Sequence, residues 1–134
     1  MLKQLAHICI HSEDLDATEQ FYTTALGMAK GFDFIRKGRP FGYYLKFGNQ
    51  TFLEVFQGEP GAVGNINHLA IEVDDLDAVI AQICAAGHEV GDKKLGADHS
   101  WQAWLTDPNG IRIELHEYTE KSMQLKGGTC VVDW

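Results

Sequence analysis

Two stretches of the chain alternate apolar and polar residues in the same way. Over Lys3–Ile10, Ala6, Ile8 and Ile10 alternate with His7, Cys9 and the following His11. Over Asn67–Val73, Leu69, Ile71 and Val73 alternate with His68, Ala70 and Glu72. A period of two is that of a strand with one face buried. Each stretch runs into acidic residues, where Asp14 and Asp75 are placed to cap a helix by accepting from its first free N–H groups. Leu76, Val79, Ile80 and Ile83 then recur at the spacing of one helical face, and Leu15, Tyr22, Ala25 and Leu26 do so less regularly. Gly27 and Gly87 stand where each helix should stop. Three strand-like runs follow each helix. They are Gly31–Ile35, Phe41–Phe47 and Thr51–Gln57 in the first half, and Glu89–Lys94, Trp101–Thr106 and Ile111–Tyr118 in the second. Gly48-Asn49 and Pro108-Asn109-Gly110 supply turns before the last strand of each half.

The two halves are copies. At an offset of 61, His7/His68, Ile10/Ile71, Asp14/Asp75, Leu15/Leu76, Asp16/Asp77 and Ala17/Ala78 are identical. At an offset of 60, Leu45/Leu105, Asn49/Asn109 and Glu54/Glu114 match, and aromatics pair at Phe41/Trp101 and Tyr44/Trp104. The ordered matches predict an α+β chain of two tandem βαβββ modules, residues 3–57 and 66–118. A linker over 58–65 joins them and a tail over 119–134 follows, with Val131, Val132 and Trp134 as its packing residues.

Alternation also assigns faces. If Ala6, Ile8 and Ile10 lie under the helix, His7 points to the other side, and by the same rule so does His68. Ile111, Ile113 and Leu115 form the core side of the last strand, so Arg112, Glu114 and His116 face away. Glu54, between Phe52 and Phe56, is the repeat equivalent of Glu114. Each module thus offers one His and one Glu on its open face. Two imidazoles and two carboxylates suit a divalent transition metal, with oxygens that accept octahedral coordination and two charges that neutralise the ion.

Composition narrows the partners. The chain has 134 residues, 45% of them hydrophobic, enough for one domain with a real core, and a formal net charge of -8. Nucleic acid and anionic membrane both require a basic footprint, so neither is expected as a partner. No apolar run approaches the roughly 18 residues of a membrane span, and no signal segment is visible at the N-terminus. Cys9, Cys84 and Cys130 are odd in number, far apart and without a C-x-x-C. They read as reduced, mostly buried thiols in a cytoplasmic protein.

The paired modules, with "AHICIHSEDLDATEQFYTTALGM", "NHLAIEVDDLDAVIAQICAAG" and "DPNGIRIELHEY", resemble the vicinal oxygen chelate superfamily, that of glyoxalase, bleomycin-resistance protein and extradiol dioxygenase. The resemblance spans about residues 3–118 and implies a cup-shaped mixed sheet. The pattern is nearest that of glyoxalase I, whose metal ligands fall at His7, Glu54, His68 and Glu114. It implies one divalent ion per site (nickel, cobalt or zinc, with iron or manganese as further candidates). It also implies a homodimer and isomerisation of a small oxygenated substrate through a metal-stabilised enediolate. Glu114 would be the base and Glu54 the other metal-bound carboxylate. His11, Tyr44, Trp101 and His116 are candidates for substrate contact, and the loop Gly96–Trp101 with His99 is a further one. Glyoxalase I commonly carries Arg four residues after the first ligand and Asn four after the second, both used on glutathione. Here those positions are His11 and Gly58, which leaves another small thiol or an unrelated oxygenated substrate open. Two other functions fit the same fold. A metal-free drug-binding protein of the bleomycin-resistance type would use Tyr43, Tyr44, Trp101 and Trp104 around a cationic ligand. A non-heme iron dioxygenase would need only two His and one Glu.

Overall fold

The computed structural model describes residues 5, 7–61, 66, 68–127 and 130. They fall into two compact units that divide near residue 63. In the first, β1 (His7–Ser12) leads to α1 (Leu15–Gln20), which continues as a π-helical turn over Phe21–Ala25. The strands β2 (Ala29–Arg36), β3 (Arg39–Lys46) and β4 (Phe52–Gln57) follow. The sheet order is β1-β4-β3-β2, with β1 parallel to β4 and the other neighbours antiparallel. In the second unit, β5 (Leu69–Glu72) and α2 (Leu76–Ala85) precede β6 (Lys94–Leu95), β7 (Trp101–Thr106) and β8 (Arg112–Glu117). That sheet has the matching order β5-β8-β7-β6. A short α3 (Met123–Lys126) lies beyond it.

Both helices start as their sequences require. The Asp14 carboxylate accepts from Ala17 N (2.9 Å) and the Asp75 carboxylate from Ala78 N (3.0 Å), each satisfying an N–H that the first turn leaves free. Both stop at a glycine in the left-handed region, Gly27 at φ 71° and Gly87 at φ 86°, where a side chain would be strained. In the first unit Phe21, Tyr22, Leu45, Leu53 and Val55 are almost wholly buried, and in the second Leu76, Ile83, Ala103, Ile113 and Leu115 are. These are the core sides that the period of two selects, so each sheet buries one face.

Two expectations need correction. The strand expected over Glu89–Lys94 shrinks to Lys94–Leu95. Gly91 keeps one ladder-like bond, from its N–H to Trp104 O at 2.8 Å, while the Lys93 ammonium is drawn to Asp77 (2.8 Å). Glycine weakens a strand, and an ion pair toward the helix side competes with regular pairing. The cysteines are not buried. Cys9, Cys84 and Cys130 are all exposed, Cys9 because it lies on the open face of β1 and Cys84 because it lies on the outer side of α2. The packing expected of Val131, Val132 and Trp134 lies outside the described residues.

Candidate functional site

On the open face of the first sheet, β1 presents His7, Cys9 and His11, β4 presents Phe52, Glu54 and Phe56, and β3 presents Tyr44. The parallel register sets Cys9 directly opposite Glu54, and the antiparallel one sets Tyr44 on its other side. His7 Nε2 lies 3.8 Å from Glu54 Oε2. The other ring nitrogen, Nδ1, is 3.4 Å from the Tyr44 hydroxyl oxygen. The carboxylate is well covered, with 14% of its side chain exposed against 42% for His7.

The second unit repeats the arrangement. His68 Nε2 lies 3.4 Å from Glu114 Oε2, with 34% and 13% of the side chains exposed. Trp104, the repeat equivalent of Tyr44, meets His68 edge-on with ring centroids 4.9 Å apart. In both units a well-covered carboxylate therefore faces an imidazole that an aromatic ring from the middle strand braces.

The surrounding charges leave a mark on neighbouring groups. Desolvation, with a hydrogen bond and the charge of Glu54 behind it, pushes the Cys9 thiol up to about 11 although the residue as a whole is exposed. Tyr44 is likewise held above the ordinary phenol range, first by desolvation and then by Glu54. Tyr118 is raised by burial and then by the charges of Glu72, Asp98 and Glu114. Burial works against the Asp98 carboxylate, but hydrogen bonds from Gln124 and Ser100 and the charge of His116 hold it below its usual range.

The remaining expected residues are distributed as follows. His11 is exposed, and its ring lies against Gly58, where an added Cβ would meet ring carbons at 3.4 Å. The two departures from the glutathione pattern are therefore neighbours in space. His116 shares the open face with Glu114. It is buried, its Nε2 lies 3.3 Å from Asp98 Oδ2, and that nitrogen makes no hydrogen bond. Trp101 points to the opposite face, with Lys93 above its ring at 5.2 Å, so it does not join the His68–Glu114 group. Tyr43 is buried in the core, where its hydroxyl donates to Leu15 O (2.9 Å). His99 has φ 63° and is exposed. The sequence reading passed over Cys9 as a site neighbour and named Asp98 only as part of the loop Gly96–Trp101. Period two already put Cys9 beside His7 and His11, but its place opposite Glu54 depends on the pairing register.

Among the described residues no group of three or more His, Cys, Asp or Glu side chains gathers closely enough to hold a metal ion. Each unit gathers two. Two donors bound to one ion at about 2.1 Å stand roughly 3 Å apart when adjacent. The imidazole–carboxylate separations of 3.4 and 3.8 Å are close to that, so each pair fits as half of a donor set.

A profile of the glyoxalase/bleomycin resistance protein/dioxygenase superfamily matches residues 6–104. The chain belongs to this superfamily. Its two four-stranded mixed sheets, each with a helix between its first and second strands, are the fold of that group. The chain is 31% identical to the uncharacterized protein YaeR of Escherichia coli K12, an alignment covering 87% of this chain and 97% of the relative. It is also 31% identical to a probable lactoylglutathione lyase of Vibrio cholerae, over 92% of this chain and 97% of that one. Among solved structures, a glyoxalase family protein from Enterococcus faecalis superposes with a TM-score of 0.70 at 28% identity, covering 86% of this chain and 98% of the other. Among the described residues no helix is long and apolar enough to cross a membrane.

Proposed function

We propose that this superfamily member is a divalent-metal-dependent enzyme of the glyoxalase I type, acting on a small oxygenated substrate as a cytoplasmic homodimer. The observation that carries the reading is the duplicated pair. His7–Glu54 and His68–Glu114 occupy equivalent positions, on the open faces of equivalent sheets, each braced by an aromatic ring. A solvated His or Glu needs neither the coverage nor the brace. The relationship to probable lactoylglutathione lyases supports the same class.

His7, Glu54, His68 and Glu114 would hold the ion, nickel, cobalt or zinc being the best matched to two nitrogens and two oxygens. When bound, a divalent ion supplies Lewis acidity toward two neighbouring substrate oxygens. The chain's own residues do the rest. With its proton on Nδ1, His7 donates to the Tyr44 oxygen and leaves the Nε2 lone pair facing Glu54, the second contact by which proteins orient a ligand imidazole. The edge of Trp104 fixes the plane of His68. Glu114, with little of its side chain in water, would take a proton from one substrate carbon and return it to the next. His11 and Gly58 offer no permanent cation and no side-chain amide for glutathione, so the reading extends to another small thiol or an unrelated oxygenated substrate.

Glu114→Gln tests the role of the base. Charge and proton affinity are lost while size is kept, so kcat should fall by roughly 100-fold or more. Protein purified without added metal and then reconstituted should bind about one divalent ion per chain by elemental analysis. Failure to retain any of the three metals at micromolar concentration would overturn the reading.

A further inference from the structure

We infer that the substrate carries a planar aromatic group next to its reactive oxygens, and that this group lies on the open face of the first sheet. The inference rests on the function proposed above and goes beyond it in naming the substrate class. Around Glu54 that face is almost entirely rings. Phe32 stacks on Tyr44 with centroids 4.5 Å apart and planes 19° from parallel. Tyr44 meets Phe52 at 5.4 Å, and Phe34 meets Phe56 at 4.9 Å across the strand between them. The last contact exists because that strand carries Gly42 there. A Cβ at Gly42 would collide with the Phe56 ring and with the Val55 carbonyl oxygen.

These rings are not the core of the unit, which lies on the other face around Phe21, Tyr22, Leu53 and Val55. They are only partly covered, and Phe32 is 50% exposed. Apolar surface left open in this way marks a binding surface. The internal repeat supplies a control. At the positions equivalent to Phe52, Phe56 and Gly42, the second unit has Arg112, His116 and Gln102, and the counterpart of the eight-residue β2 is the two-residue β6. Of the three wall rings Tyr44, Phe52 and Phe56, only Tyr44 keeps an aromatic counterpart, Trp104; Phe41, which also stacks on Phe56, is matched by Trp101, but that ring lies on the other face of its sheet. If the fold itself required this wall, both copies would have it. The occupant is set by what the wall surrounds. His7 and Glu54 sit within it as the polar donors, so the ligand has a polar, vicinal-oxygen head and a flat apolar body. A peptide thiol has the reverse character.

The test compares two probes with the same head, acetohydroxamate and benzohydroxamate, by calorimetry on nickel-loaded protein. A phenyl group stacked on the wall should tighten binding by about tenfold or more. Phe32→Ser removes the most exposed ring without touching the core. It should abolish most of that advantage and leave acetohydroxamate affinity unchanged, while Phe32→Tyr should restore it. If acetohydroxamate binds and benzohydroxamate is no tighter, or Phe32→Ser leaves the advantage intact, the aromatic inference falls and the metal reading stands. If neither probe binds, both fall. If Phe32→Ser instead turns a dimer into a monomer with the advantage unchanged, the face belongs to contact between copies and the inference is wrong.

Discussion

Cys9 shows how a single position on a duplicated template acquires its own chemistry. Its repeat equivalent is Ala70, and the two stand opposite Glu54 and Glu114 in matching registers. Only the first carboxylate therefore has a thiol beside it. Raised from the ordinary 9.0 to about 11, that thiol has about 100-fold less thiolate at neutral pH than an unperturbed one. A more basic thiolate is a better nucleophile, which returns roughly tenfold of the loss. Metal-free protein treated with iodoacetamide at pH 7 should thus alkylate Cys9 roughly tenfold more slowly than a simple thiol, with the rate climbing until about pH 11. Desolvation is the larger cause and Glu54 the smaller, so Glu54→Gln should recover only part of the rate. Peptide mass spectrometry follows each cysteine separately. Cys9 reacting as fast as a small thiol would contradict this account.

At the scale of elements, the loop before β7 is clasped by the segment after β8. Met123 N donates to Asp98 O (2.9 Å) and Thr119 Oγ1 to His99 O (2.7 Å). Ser100 Oγ donates to Ser122 Oγ (2.8 Å), and Gln124 Nε2 donates to Asp98 Oδ2. Asp98 is the centre of this clasp and also faces His116. Because its folded pKa lies below the ordinary 3.8, its stabilisation is complete above that value and is lost as pH falls through the folded one. Asp98→Asn should therefore lower stability at pH 7 by about 1–3 kcal/mol in urea unfolding. It should also flatten the acid loss that the parent protein shows below about pH 4. An unchanged acid limb would remove Asp98 from that role. None of this was legible in the sequence, since Ser, Thr, Gln and Asp side chains bonding to nearby backbone carry no periodicity. What was legible rested on period and repeat. The caps at Asp14 and Asp75, the glycine stops, the span of β7 and the faces of His7, Glu54, His68 and Glu114 all follow from them. Where a glycine and a charge interrupt the pattern, as at Gly91 and Lys93, the expected strand was too long. Trp101, paired with Phe41 by position, lies on the face away from Glu114 because strand parity outranks residue type.

At the scale of the whole molecule, a unit with one His and one Glu is incomplete as a metal site, and the proposed homodimer would complete it. The expected site takes His7 and Glu54 from one protomer and His68 and Glu114 from its partner. Two single variants distinguish this from a site made within one chain. His7→Ala and Glu114→Ala homodimers should each bind metal poorly, because every site in them lacks one ligand. Unfolding the two, mixing them equally and refolding should give half heterodimers. In each of those, the site using the first unit of the His7→Ala chain also uses the second unit of the Glu114→Ala chain, so it collects both defects. The other site then has all four ligands. About one quarter of the sites in the mixture should regain full affinity if pairing is random. With sites inside single chains every site keeps one defect, and mixing restores nothing. Metal titration of the mixture, with heterodimers counted by native mass spectrometry, gives the answer. Heterodimers without recovered binding would exclude the cross-chain arrangement, and recovery in proportion to their number would establish it.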